Sequence, residues 1–266
     1  SLKQIHFPKN IENLKKAIYR LKFDEHFILQ IFMALVKRNI KSVKTKSLKD
    51  IGPYFRTIRD SLKFELTKAQ KRVIKEIHSD IKKNICMNRL LQGDVGSGKT
   101  IVSILSTVLA VGNNVQVALM APTEILASQH YDSFQKELSK VKITCCLLIG
   151  KMNKKERTKI VDNVENGVIS VVIGTHAIIQ DDVRFKGLGL VIIDEQHRFG
   201  VGQRNKLIGK GTNPHLLSMT ATPIPRTLSI TYMGDMDLSV IDELPKNRIP
   251  ITTKIIDSQR LSRVYT

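Results

Sequence analysis

The sequence predicts an α/β fold: a mostly parallel central sheet with helices on both faces, preceded by a helical linker. Three observations predict it. From residue 66 onward, short strand-like runs alternate with helix-like segments. The central runs are nearly continuous Val, Ile and Leu, as strands covered on both faces require. A glycine-rich stretch sits between the first of these strands and the helix after it.

Taken in order, residues 12–39 read as one long amphipathic helix. Leu14, Ala17, Ile18, Leu21, Phe27, Ile28, Ile31, Leu35 and Val36 recur mostly at helical spacing, and Lys and Arg fill much of the other side. This suits a docking helix with one solvated face. Residues 37–55 read as a basic connector closed by Gly52-Pro53. Thr67 is placed to cap a helix running to about Lys83. Strands follow at 89–92, 115–120, 143–149, 168–174, 188–194 and 215–220, with helices at 99–111, 123–140 and 153–165 between most of them.

The chain has 266 residues, of which 42% are hydrophobic, enough for one large domain with an appendage. Its formal net charge is +19. Residues 1–90 hold 22 Lys+Arg against 8 Asp+Glu, so most of the excess lies in the N-terminal third. Such a charge points to a polyanionic partner, with nucleic acid first. Cys86, Cys145 and Cys146 have no metal-binding spacing and read as reduced thiols of a cytoplasmic protein. In an extended run the adjacent Cys145 and Cys146 point to opposite faces. No apolar run approaches a membrane span, and the N-terminus has no signal-peptide core. The chain does not begin with Met, which suggests a fragment or a remnant reading frame.

Gly93-Asp94-Val95-Gly96-Ser97-Gly98-Lys99-Thr100 matches the phosphate-loop pattern G-x-x-x-x-G-K-[ST], in the strand–loop–helix context that confirms it. The glycines let backbone N–H groups wrap an anion, and the helix N-terminus adds its positive dipole end. Lys99 supplies charge to the β- and γ-phosphates of ATP, and Thr100 offers a hydroxyl to Mg²⁺. Such a loop needs a carboxylate partner. The hydrophobic strand 188–194 ends in Asp194-Glu195, where ligands of such sheets collect. Asp194 is the expected Mg²⁺ partner, and Glu195 is expected to orient or deprotonate the attacking water. Lys99, Asp194 and Glu195 are thus the expected catalytic set.

Asp194-Glu195-Gln196-His197 is the DExH form of motif II of superfamily 2 helicases, and the chain resembles a RecA-like P-loop NTPase lobe. Leu66-Thr67-x-x-Gln70, with Phe64 upstream, resembles the adenine-reading Q motif. Residues 121–124 resemble motif Ia, 174–176 motif Ib, and 218–222 motif III. The phrases RLLQGDVGSGKT, MAPTEILASQHY, DEQHRFGVGQR and MTATPIPRTL resemble the RecG family of ATP-dependent DNA helicases, as does 232–251. The resemblance covers nearly the whole chain. The motor of transcription-repair coupling factor is the nearest competitor; Asp-Glu-Gln-His, Gly96-Ser97-Gly98 and the Asp-Glu-Leu-Pro run at 242–245 favour RecG.

The resemblance implies a division into a linker to a wedge domain (1–60), an ATP-binding lobe (61–250) and the start of a second lobe (251–266). It implies adenine contacts from Gln70 and Phe64. His197, Ser218, Thr220 and Thr222 would couple hydrolysis to movement, and Thr123 and Thr175 would meet DNA phosphates, although isolated threonines serve as well as helix caps. Arg226 follows motif III and suits either DNA or an acidic partner. His6, His26, His78, His130 and His215 are scattered, and no metal role follows for them. The implied protein is a cytoplasmic monomer that uses ATP and Mg²⁺ to remodel branched DNA in repair and recombination. A separately encoded second lobe is one way to complete it. The alternative is a non-catalytic ATP- and DNA-binding remnant.

Overall fold

In the computed structural model, which describes residues 2–222 and 236–245, helices α1 (Leu2–His6), α2 (Ile11–Ser42) and α3 (Gly52–Asp60) precede α4 (Lys68–Ile81). Then follow β1 (Asn88–Gly93), α5 (Lys99–Gly112), β2 (Gln116–Met120), α6 (Glu124–Leu138), β3 (Cys145–Leu148) and α7 (Lys154–Glu165). The chain continues through β4 (Val171–Gly174), β5 (Leu188–Asp194), α8 (Val201–Ile208), β6 (His215–Thr220) and β7 (Asp237–Ile241). All seven strands pair in parallel, in the order β3-β4-β2-β5-β6-β1-β7.

The sheet is covered on both faces. Side chains alternate along each strand, so Leu119, Ile173, Ile192 and Leu217 enter one core while Met120, Val172, Ile193 and Leu216 enter the other. Helix α5 lies in the first core, where Val102, Leu105, Val108 and Leu109 are fully buried. Val161 and Val164 of α7 and Leu207 of α8 cover the second. Cys145 packs on the first core and Cys146 in the second, on opposite faces as strand geometry requires. Burial pushes both thiols up, Cys146 to about 12, so neither is a ready thiolate.

The structure adds elements to the expected set, β7, α8 and α3 among them. Strand β7 extends the sheet beside β1; its edge position leaves it half-buried and without a continuous apolar run. Helix α8 is short and carries only Leu207 as a buried residue, too little for a periodic signal. Helix α3 begins where a connector was expected to close. Gly52-Pro53 opens it, because proline fits the first turn of a helix, where its missing N–H is not needed. The preceding stretch also joins the lobe. The N–H of Leu48 donates to Ile81 O at 2.8 Å and that of Thr45 to Asn84 O at 3.1 Å. Leu48 and Ile58 are fully buried in the first core. Residues 45–58 thus pack against the same core as the sheet.

The long helix forms as expected, but much of its apolar stripe is open. Ala17 is buried, whereas Phe23, Phe27, Ile28, Phe32 and Leu35 are exposed. Phe23 and Phe27, one turn apart, stack with ring centroids 5.6 Å apart. Arg226 and residues 246–266 lie outside the described residues, as does the expected start of a second lobe.

Candidate functional site

The expected site residues gather where β1, β5 and β6 end. The chain passes from β1 across β6 and β5 to reach β2, and such a crossover opens a crevice at the carboxyl ends of the strands. The loop 93–98 leaves β1 into this crevice and runs directly into α5. Gly96 has φ +79° and Gly98 has φ +91°, backbone that other residues rarely adopt. At Gly98 space is closed as well: a Cβ would lie 2.3 Å from Gln70 Nε2.

The Lys99 ammonium donates to the carbonyls of Gly93 at 2.7 Å and Asp94 at 3.1 Å. Burial lowers its pKa, while the charges of Glu195, Asp194 and Asp94 pull it back up. The loop lysine and both motif carboxylates therefore share one electrostatic neighbourhood. Thr100 is half-buried in the first turn of α5. The Asp94 carboxylate accepts from the N–H of Val95 at 2.8 Å and holds the loop tip, where Val95 itself is exposed.

Glu195 sits in the left-handed region at φ +46°, ψ +56°, a conformation that costs a non-glycine residue about 1–2 kcal/mol. The turn throws its carboxylate toward the end of β6. There Oε1 accepts from the N–H of Ala221 at 3.2 Å and Oε2 from the Thr220 hydroxyl at 3.4 Å. The half-exposed His197 places Nδ1 3.5 Å from the same Oε2. Thr220 Oγ1 also accepts from the N–H of Thr222 at 3.1 Å. The 194–197 and 218–222 segments thus meet through Glu195.

Gln70 lies at the start of α4 and is only 2% exposed. Its Oε1 accepts from the N–H of Thr67 at 3.0 Å, and the Thr67 hydroxyl accepts from the N–H of Gln70 at 3.1 Å, a reciprocal capping box. Its Nε2 donates to the Ser97 carbonyl of the loop at 2.7 Å. An amide has two N–H donors and two lone pairs, so one of each is already committed to the fold. Phe64, just upstream, is half exposed. The Ser97 hydroxyl is buried without a partner among the described residues.

Other expected residues are placed differently. Thr123 caps α6, its hydroxyl accepting from the N–H of Leu126 at 3.2 Å. Thr175 and Ser218 are buried, and their hydroxyls have no partner among the described residues. Ser218 lies inside the sheet, in register with Leu90 of β1 and Ile193 of β5.

Sequence reasoning passes over one residue that the fold brings to this site. His130, on α6, places Nε2 2.7 Å from Asp194 Oδ2, with the two residues 9% and 8% exposed. The other carboxylate oxygen accepts from the N–H of Glu195 at 3.1 Å. A histidine 64 positions away offers no spacing signal; the one cue was its position nearly two turns into the helix after motif Ia.

The chain resembles known proteins along nearly its whole length. A family model for the DEAD/DEAH box helicases matches residues 67–230. The ATP-dependent DNA helicase RecG of Aquifex aeolicus is 46% identical over 99% of this chain and 34% of its own length. RecG of Streptococcus pneumoniae is also 46% identical, over 100% of this chain and 40% of its own length. The chain thus spans between a third and two fifths of these curated relatives. A solved structure of RecG bound to a three-way DNA junction superposes with a TM-score of 0.84 at 43% identity, covering 98% of this chain and 35% of that one. A DEAD box protein from Methanococcus jannaschii, at 20% identity and a TM-score of 0.54, shares the fold.

Proposed function

Because this chain belongs to the DEAD/DEAH box helicase family, we propose that it is the ATP-binding lobe of a RecG-type DNA helicase. On this reading ATP binds with Mg²⁺ in the crevice at the ends of β1, β5 and β6 and is hydrolysed there. The observation that carries the proposal is the convergence on Glu195: its carboxylate bonds Thr220 and the N–H of Ala221 while its charge acts on Lys99.

Residues 93–100 cradle the phosphates with backbone N–H groups, and Lys99 exchanges its loop carbonyls for phosphate oxygens. Thr100 and Asp194 are a hydroxyl and a carboxylate, the hard oxygen donors that suit magnesium. When bound, the metal neutralises charge building on the phosphates. Glu195, held from β6, orients the attacking water and takes its proton. Gln70 keeps one N–H and one lone pair for adenine, and Phe64 offers a face for stacking. Loss of the γ-phosphate would be sensed through Glu195 by Thr220, Thr222 and His197, with Ser218 anchoring that strand end. Thr123 and Thr175 would meet DNA through the backbone beside them, since one hydroxyl caps a helix and the other is buried.

The whole protein is proposed to act on branched DNA in repair and recombination as a cytoplasmic monomer. Its domain plan would be a linker, this lobe and a second lobe that supplies an arginine to the transition state. A RecG relative is seen on a three-way junction, and the +19 charge favours a polyanion.

The test is equilibrium binding of a fluorescent ATP analogue. Lys99→Ala should abolish measurable affinity while leaving the far-ultraviolet circular dichroism spectrum unchanged. Equal affinity in the variant and the parent chain would refute the assignment.

A further inference from the structure

The chain that leaves the sheet after β7 returns to the helix that carries Gln70. Helix α4 has no acidic residue in its first turn; Lys68 and Lys71 stand there instead. A helix start with unsatisfied N–H groups and a positive dipole end favours an anion. That anion comes from 174 positions away: Glu243 Oε2 accepts from the N–H of Ala69 at 2.9 Å. One turn on, Arg72 Nη2 donates to the Val240 carbonyl at 2.7 Å and to Asp242 Oδ1 at 3.0 Å. The same first turn holds Gln70, whose Nε2 supports the Ser97 carbonyl in the loop. A continuous chain of hydrogen bonds therefore runs from residues 240–243 through one helical turn to the phosphate loop.

Resting on the nucleotide site proposed above, we infer that Glu243 is a positioning residue for that site. It seats the first turn of α4 so that Gln70 holds the loop in its binding shape. Arg72 keeps Glu243 in place by tying down the residues just before it. Glu243 does not itself touch the nucleotide; it acts through Gln70.

A double-mutant cycle on the full 266-residue chain tests this, with a fluorescent ATP analogue as the probe. Glu243→Ala should weaken binding roughly fivefold, about the size of a moderate coupling between contacting groups. Glu243→Gln, whose amide oxygen still accepts from Ala69, should lose less. In a Gln70→Ala background, Glu243→Ala should have no further effect. Effects that add in the double variant would overturn the inference, since they would mean that Glu243 acts by general stability alone. Amide exchange without nucleotide gives a second readout. Glu243→Ala or Glu243→Gln should speed exchange at residues 67–70 and in the loop, while exchange in β2 and β5 stays slow. Unchanged exchange at 67–70 in both variants would equally overturn it. If instead the parent chain fails to bind and Lys99→Ala looks the same, the nucleotide site itself is wrong, a result distinct from additivity in the cycle.

Discussion

Replacing His130 by alanine tests the part of the site that lies deepest in the fold. The imidazole makes a 2.7 Å bond to Asp194 Oδ2, and both groups are about nine-tenths buried. A hydrogen bond to a charged partner contributes about 1.5–3 kcal/mol net. The variant leaves one oxygen of a buried carboxylate without a donor, so the loss should fall in the upper half of that range, about 2–3 kcal/mol. For a domain of this size that corresponds to a fall in Tm of roughly 5–10 °C. A functional loss should accompany it. Groups that orient a metal-binding side chain are typically worth about 10–100-fold in metal affinity. The assay is a pair of titrations: chemical denaturation for stability, and Mg²⁺ or Mn²⁺ titration of ATP-analogue binding for the site. His130→Gln, whose Nε2 can reach the same oxygen, should recover most of the metal dependence. If His130→Ala keeps both the denaturation midpoint and the metal dependence of the parent, the reasoning that His130 orients Asp194 is refuted.

Gly98→Ala should keep the fold but reduce nucleotide affinity at least about tenfold: φ +91° costs alanine about 1–2 kcal/mol, and its Cβ would drive Gln70 from Ser97. Binding and circular dichroism together would check it. His215 accepts from the N–H of Met87 at Nδ1 and donates to Lys46 O from Nε2, so it is held neutral, and burial lowers its pKa. The unfolded chain then takes up the proton first, so stability is full above about pH 6.5 and falls as pH drops below it. His215→Gln should flatten that slope in denaturation midpoints measured between pH 7.5 and 5.5. Arg89 is buried against Asp80, Glu76 and the Ser239 hydroxyl. Arg89→Met should cost about 2–4 kcal/mol, somewhat below a fully buried pair because Glu76 is a third exposed. Urea denaturation would measure it, and a midpoint equal to the parent's would show that the cluster contributes nothing.

Much of the candidate site's local geometry was legible in the sequence because it is written in contiguous residues. Gly93 to Thr100 specify a loop by their glycines, and a Val/Ile run ending in Asp194-Glu195 specifies a strand end. The period-two burial that puts Cys145 and Cys146 on opposite faces follows from backbone geometry alone. Other features left no local trace. The edge strand β7 is too short and too polar to stand out. The stretch from residue 37 to 55 reads as a connector because its basic composition hides an anchor, Leu48, that is buried against the end of α4.

By itself, then, the sequence determined the fold class, the glycine-rich loop after β1 and the acid pair at the end of β5, since each depends on interactions within a few residues. Only the tertiary structure decided which groups meet: Glu195 with the Thr220 hydroxyl and the N–H of Ala221, Asp194 with His130, and the N–H of Ala69 with Glu243. Those pairs are set by the order β5-β6-β1-β7 and by the helices laid across it. Strand order is a property of long-range packing, where many weak apolar contacts act together, and no local pattern of residues encodes it.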